Sequence, residues 1–350
     1  MSRATRFIDA CRGRPTDCTP VWLMRQAGRY QPSYQAVRAE VSFFELCSTP
    51  DLAAQVTVAA VEEMGVDAAI IFSDILVPLL AMGAQIEMTR GGPKLEPLRD
   101  RAAVDKLRVV EPAEEVPYVM EAIRETNRRL DGLVPLIGFV GAPLTLASYL
   151  VEGGGSKSCP HLKGMLFSDG EAAHQLLEKL TTVVTRHLRA QVEAGAHAVQ
   201  VFESWASVLA PHDYRAIALP YLKRIFSELS DLDVPTILFA QGTTTLLDEL
   251  SEAGADVLSV DWSTDLAVVR ERLPNTPLQG NLDPTYLFMD EDELQERIAH
   301  VLERAGAQDG KPAPGHVFNL GHGILPPTKT ERVQFLVKTV HRLTGGESEG

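Results

Sequence analysis

The sequence predicts an α/β chain folded as a single (β/α)8, TIM-type barrel over residues 1–344, with 345–350 as a flexible C-terminal tail. Three observations carry that expectation. Eight short apolar runs each close on or beside a polar residue and are followed by a helical pattern. Unbroken apolar runs suit parallel strands covered on both faces, and the intervening helices supply the right-handed crossover. No Pro/Ser/Gly linker and no internal repeat divides the 350 residues, a length one barrel can use in full.

The strand runs lie at 20–24, 68–73, 134–139, 198–202, 236–240, 257–260, 277–280 and 316–320. Amphipathic helices are expected at 171–194, 291–305 and 329–343, with a shorter one at 245–253, because apolar side chains recur there at helical spacing between charges. Glycine follows a helix end at Gly65, Gly195, Gly254 and Gly306, where a left-handed C-cap belongs. Three of these sit in one recurring phrase, Glu63-Met64-Gly65, Glu193-Ala194-Gly195 and Glu252-Ala253-Gly254, each just before a strand run. Residues 133–151 carry no charge and approach the length of a membrane span. Pro135, Gly138, Gly141 and Pro143 break that stretch, so it reads as strand, turn and helix start. A doubly wound open sheet is the rival fold, but no GxGxxG follows the first strand.

Composition narrows the function. Apolar residues make up 45% and charged residues 23%, a globular balance. The net charge of −14 disfavours nucleic acid and anionic membranes as partners. The deficit is uneven. Residues 1–38 hold seven arginines against two acids, a net +5, which leaves −19 for the rest. Cys11, Cys18, Cys47 and Cys159 form no CxxC pair, so they read as reduced thiols without a zinc ribbon. The polar first residues lack a signal-peptide core, and a cytoplasmic location is expected.

In a parallel barrel the chemistry sits where strands end. The residues there are Arg25 and Arg29, Asp74, Tyr149, Ser204, Gln241, Asp261, Asn281 and His322. They suit a polar, anionic molecule and proton movement, with no zinc-ligand cluster and no nucleophile elbow. Each has a bland alternative. The arginines could be a solvated turn, Asp74 a helix cap, and Ser204 and Tyr149 partners of backbone groups. His322 between Gly321 and Gly323 suggests a tight exposed turn. The run Gly153-Gly154-Gly155-Ser156-Lys157 lacks phosphate-loop spacing and reads as a flexible lid. His161, His174, His187, His212, His300 and His341 fall in helical or loop text and take no role.

Several segments together carry a resemblance. They are Pro20-Val21-Trp22-Leu23-Met24-Arg25-Gln26-Ala27-Gly28-Arg29-Tyr30, Ile71-Phe72-Ser73-Asp74-Ile75-Leu76, Gly138-Phe139-Val140-Gly141-Ala142-Pro143, Gln200-Val201-Phe202-Glu203-Ser204, Gln279-Gly280-Asn281-Leu282-Asp283-Pro284 and Asn319-Leu320-Gly321-His322-Gly323. In this order they resemble the uroporphyrinogen decarboxylase family from about residue 5 to 343. The resemblance implies a cofactor-free barrel without metal, usually a homodimer. Its reaction removes CO2 from the four acetate side chains of the tetrapyrrole uroporphyrinogen III, giving coproporphyrinogen III. It makes Arg25 and Arg29 carboxylate binders and Asp74 the residue facing the pyrrole N–H groups; the proton donor is Arg25 or Arg29 by resemblance or His322 by its better matched pKa, so Asp74, Arg25, Arg29 and His322 form the expected catalytic set. Substrate contacts would come from Arg25, Gln26, Ala27, Gly28, Arg29, Asp74, Phe139, Tyr149, Ser204 and His322. Two places depart from the common pattern: Trp205, where many members carry a smaller or imidazole side chain, and residues 157–161 after the triple glycine. Two alternatives stand beside this reading, a corrinoid-linked methyltransferase of the same fold and a non-catalytic porphyrinogen-binding protein. The first needs His and Cys zinc ligands, yet no HxC follows the fifth run and no cysteine lies beyond Cys159.

Overall fold

A computed structural model describes residues 2–89 and 91–345. Most of the expected tail at 345–350 therefore lies outside the described residues. The strands are β1 (Ala69–Ile70), β2 (Ile86–Thr89), β3 (Gly92–Leu95), β4 (Leu136–Gly141), β5 (Ala198–Glu203), β6 (Thr236–Ala240), β7 (Val257–Val260), β8 (Leu278–Gln279) and β9 (His316–Val317). Seven of them form one parallel sheet in the order β1-β4-β5-β6-β7-β8-β9. Helices fill every connection between sheet neighbours; after β5 and after β8 a 3-10 turn precedes them.

The first apolar run departs from expectation. Residues 20–24 make one bridge, Val21 to Phe318, instead of a strand. That bridge still closes the ring. Phe318 N–H donates to the Pro20 carbonyl, Trp22 N–H to that of Phe318, and Asp67 N–H to that of Val21. Proline offers no N–H, and the chain turns at Leu23–Gln26, so no longer ladder can grow. The barrel is thus completed by eight segments, of which seven are strands. The 133–151 stretch resolves into β4 and helix Pro143–Glu152, as expected. Among the described residues no helix is long and apolar enough to cross a membrane.

The expected helices appear at Gly170–Glu193, Thr243–Ser251, Glu291–Ala305 and Thr330–Leu343, within two residues of their forecast ends. Gly65, Gly195, Gly254 and Gly306 all have positive φ, between 71° and 111°. Strand alternation then sorts the barrel. Gln200 and Phe202 face inward, while Val199, Val201 and Glu203 face the helices. Phe7, Ala10 and Cys11 of helix Arg3–Cys11 share one buried cluster with Trp22, Ile137, Ile237 and Val317, so this helix plugs the barrel floor. Above the plug lies a polar layer. Trp22 Nε1 donates to Gln279 Oε1 at 2.8 Å, and Gln279 Nε2 donates to Gln200 Oε1 and Ser259 Oγ.

The basic N-terminal block does not form one patch. Arg3 reaches the Val66 carbonyl, Arg6 pairs with Asp17 and Asp67, Arg12 with Asp233, and Arg14 with Asp9. Asp67 is fully buried and also accepts from Val21 N–H and His341 Nε2. It therefore joins the N-terminal helix, the ring-closing segment and helix Thr330–Leu343. Arg25, Arg29 and Arg38 alone among the seven reach the other end of the barrel.

Candidate active site

A cleft of about 970 Å3 opens at the C-terminal ends of the strands. That is near the top of the range for small-molecule sites, roughly 300–1,000 Å3. Its floor is aromatic. Phe139 of β4, Phe202 of β5 and Phe239 of β6 meet edge to face, with ring centroids 5.6 and 5.7 Å apart. Their alignment follows from register, because Phe202 lies opposite both Gly141 and Phe239.

Arg25 and Arg29 enter from the loop after Val21. Arg25 is the third residue of a turn closed by Gln26 N–H on the Leu23 carbonyl, and its φ is 62°. A non-glycine residue rarely takes that left-handed backbone. Its neighbours hold it there. Asn319 Oδ1 accepts from Met24 N–H at 3.1 Å, Ile324 N–H donates to the Met24 carbonyl, and Gln26 spans from Leu23 N–H to the Ala68 carbonyl. Two glycines make room. A Cβ on Gly28 would lie 2.9 Å from the Arg25 carbonyl, and one on Gly323 would overlap the Arg25 side chain. Among the described residues neither the Arg25 nor the Arg29 guanidinium has a carboxylate or other hydrogen-bond partner in the protein. Most other arginines are paired.

Asp74 follows β1 and does act as a local cap, with Oδ1 accepting from Leu76 N–H at 2.8 Å. It also lines the cleft, so the two readings of this acid coincide. Burial raises its pKa, against the Leu76 N–H and Arg25, which lower it. Arg25 is lowered in turn, by burial and by the like charge of Arg29, despite Tyr149 and Asp74. Tyr149 is raised, chiefly by burial. His322 is lowered by burial and then by Arg25, so its imidazole is neutral at neutral pH. The expected exposed turn around it is partly enclosed. Its ring meets Trp262 edge to face at 6.0 Å, and a Cβ on Gly321 would strike the Trp262 backbone.

The structure brings together Arg25, Gln26, Ala27, Gly28, Arg29, Asp74, Phe139, Tyr149, Ser204 and His322 on one cleft. Gln26 offers it little side chain, since both ends of its amide already serve the loop. Three strand-end candidates are elsewhere. Asp261 caps Gly242, Thr243 and Ser263, while Asn281 Nδ2 donates to the carbonyls of Asp261 and Thr264. Gln241 continues the β6 edge, its N–H on the Glu203 carbonyl. Asp261 and Asn281 are structural caps, which is what a short polar side chain after a strand most often supplies. The triple glycine is not a free lid either. Gly153 ends helix Pro143–Glu152, Leu95 N–H donates to its carbonyl, and Gly154 bridges Lys94. It anchors the β2–β3 hairpin, whose Ile86, Met88 and Thr89 form a cleft wall.

Comparison with known proteins identifies the architecture. A family described as uroporphyrinogen decarboxylase (URO-D) matches residues 2–343. The chain belongs to the uroporphyrinogen decarboxylase family. A protein named uroporphyrinogen decarboxylase from Myxococcus xanthus is 51% identical over 96% of both chains. One of the same name from Geotalea daltonii is 47% identical over 97% of this chain and 99% of its own. A solved methyltransferase from Methanosarcina mazei superposes with a TM-score of 0.80 over 97% of this chain and 98% of that one, at 23% identity, which speaks to the fold alone. The thiolate zinc site that a methyltransferase reading requires is not assembled here. The four cysteines are separately buried, and no three His, Cys, Asp or Glu side chains converge among the described residues.

Sequence reading of this family member missed part of the cleft. Arg38 lines it, one amine on the Val41 carbonyl. Tyr34, Phe43 and Phe72 stack into a wall, with Phe72 5.5 Å from Tyr34 and 5.9 Å from Phe43. Phe202 and Phe239 complete the floor. A signal existed for the last two, since the runs at 134–139, 198–202 and 236–240 all carry phenylalanine in their last two residues. No pattern marked Tyr34, Arg38 or Phe43, which reach the cleft only through the packing of two helices.

Proposed function

We propose that the cleft binds uroporphyrinogen III and removes CO2 from its four acetate side chains, leaving methyl groups and giving coproporphyrinogen III. The reaction class, a carboxy-lyase, is that of the family. One observation carries the reading onto these residues: two unpartnered guanidiniums stand beside a half-buried acid above a phenylalanine floor. A planar-forked guanidinium is suited to carboxylates, and a partly apolar floor to pyrrole faces.

A pyrrole acetate loses CO2 slowly because the bond electrons have no acceptor. Protonation of the adjacent ring carbon creates an iminium-like cation that takes them up. After CO2 leaves, a second proton on the exocyclic carbon completes the methyl group, and the ring carbon gives back the first proton to restore the pyrrole, so that one proton is taken up for each CO2 lost. Asp74 is assigned to the pyrrole N–H side, where its charge stabilises the ring cation in the transition state. Arg25 is assigned as proton source, since it stands on the cleft with Asp74 and the like charge of Arg29 weakens its hold on the proton. Arg29 and Arg38 hold the remaining carboxylates. Tyr149, Ser204 and neutral His322 orient the reacting acetate, and Phe139 with its partners fixes the ring plane. No step calls on a cofactor.

Two more parts of the reading are proposed. Four unpaired, buried cysteines support a reducing compartment, the cytoplasm. Family resemblance supports a homodimer, and sedimentation would give twice the 38.2 kDa chain mass. The deciding experiment incubates the protein with uroporphyrinogen under anaerobic, metal-free conditions and separates the products by carboxylate number. Stepwise loss of carboxylates supports the proposal. Unchanged substrate, held tightly, would favour a binding protein instead.

A further inference from the structure

Glu203 is the last residue of β5 and has no exposed surface. It points away from the barrel interior, into the helical layer, while its neighbours Phe202 and Ser204 line the cleft. One carboxyl oxygen is bonded to the Thr145 hydroxyl; the other has no hydrogen-bond partner. Thr145 lies one turn before Tyr149 on helix Pro143–Glu152, so the two side chains share a helix face. The next residue but one, Trp205, packs edge to face on Tyr149 at 6.3 Å. A strand end carrying Ser204 and a helix carrying Tyr149 are thus joined behind the cleft by a single carboxyl–hydroxyl contact.

We propose that Glu203 is a positioning residue for the decarboxylation, its carboxyl docked on Thr145 to fix Ser204 and Tyr149 relative to each other. This inference rests on the functional reading above. It also has a charge requirement. A buried carboxylate with one neutral partner is costly, so the uncharged acid is the form that fits. Burial pushes Glu203 up to about 8, against the Thr145 hydroxyl and against the amides of Thr145 and Trp205, which approach the carboxyl without closing a full hydrogen bond. The titratable groups packed around it are Tyr214 on helix Pro211–Ile217 and, beyond it, Glu249 on helix Thr243–Ser251. Tyr214 is itself fully buried, its hydroxyl unpartnered and raised well above its ordinary value, and offers no counter-charge. The Thr145 hydroxyl holds the charged form more strongly, but ionisation as pH rises through about 8 would leave a buried charge without a counter-ion, a cost set against the close packing of the β5 end on helix Pro143–Glu152.

The test compares wild type with Glu203→Gln, Glu203→Ala and Thr145→Val by kcat, KM and pH profile on uroporphyrinogen, with melting temperature as a fold check. Wild type should lose kcat near pH 8. Glu203→Gln, which stays uncharged, should keep kcat within about threefold at neutral pH and lose that alkaline limb. Glu203→Ala and Thr145→Val should lower kcat by up to about 100-fold with KM changing far less, the scale expected when reacting groups are misplaced by about 1 Å. An active wild type whose alkaline limb survives unchanged in Glu203→Gln would overturn the inference. A wild type that binds uroporphyrinogen without decarboxylating it would overturn the functional reading and the inference with it.

Discussion

Asp74 and His322 sit in the same cleft under opposite pressures. Burial raises the acid and lowers the imidazole, which pushes both toward their uncharged forms, and Arg25 acts on each. On the proposed assignment Asp74→Asn keeps substrate affinity within about tenfold while turnover falls by about 100-fold or more, the usual cost of one lost preorganised charge. Titration binding beside steady-state turnover checks it, and near-normal turnover would remove Asp74 from the mechanism. His322 makes a second case. A proton donated by its imidazolium would be lost as pH rises through a pKa below 6.5. With Arg25 as donor, activity stays level across that point, and His322→Asn lowers kcat/KM without reshaping the profile between pH 5.5 and 7.5, a window about one unit either side of the free imidazole value. A fall below pH 6.5 that the Asn variant abolishes would make His322 the donor. These residues were legible in the sequence because a polar side chain stood where an apolar run stopped. The same rule gathered Asp261 and Asn281, whose side chains turned out to satisfy backbone groups. Position at a strand end identifies candidates; only the direction of the side chain separates a cap from a ligand group.

At the scale of elements, the loop carrying Arg25 and the Asn319–Gly323 segment are fitted to each other. Asn319 holds Met24, and Gly323 leaves space for the Arg25 side chain. Gly323→Ala is therefore expected to fold with a small change in melting temperature yet lose activity by about 10- to 100-fold, because the new methyl displaces a substrate-holding group. Equal activity in that variant would show that Arg25 has a second productive position. The parallel strands and long helices were readable because their apolar spacing is a direct imprint of burial on one or two faces. The first run was misread as a strand for a reason sequence periodicity does not contain. Its residues are apolar because Val21, Trp22 and Leu23 are fully buried, but Pro20 and the turn at Arg25 leave room for one bridge. The hairpin β2–β3 was missed altogether. β2 alternates between half-buried and exposed residues and β3 buries only Leu95, so the hairpin lacks a core-facing run, and its anchor is the backbone of Gly153 and Gly154.

Across the whole molecule, the seven arginines that first looked like one basic surface divide between two jobs at opposite ends of the barrel. Arg6 works at the lower end, where burial opposes its charge but Asp17 and Asp67 outweigh it. Asp67 there serves Arg6, Val21 and His341 at once. Asp67→Ala leaves Arg6 Nη1 and the Val21 N–H unsatisfied while Asp17 still holds the rest of the guanidinium, and a loss of up to about 3–5 kcal/mol, the cost of breaking a buried pair, is expected. Chemical denaturation would measure it, with the cleft variants above as unaffected controls. At the upper end the consequence concerns traffic. On the proposed roles there is one Asp74 for four acetates, and it occupies one side of a fixed aromatic floor. The macrocycle must then turn or leave and return between successive losses of CO2. Each loss also removes an anion that Arg25, Arg29 and Arg38 attract, so a fresh ring outcompetes a partly processed one. Half-finished rings will accumulate in solution while substrate is abundant and clear only as it runs down, which makes the product mixture a function of supply.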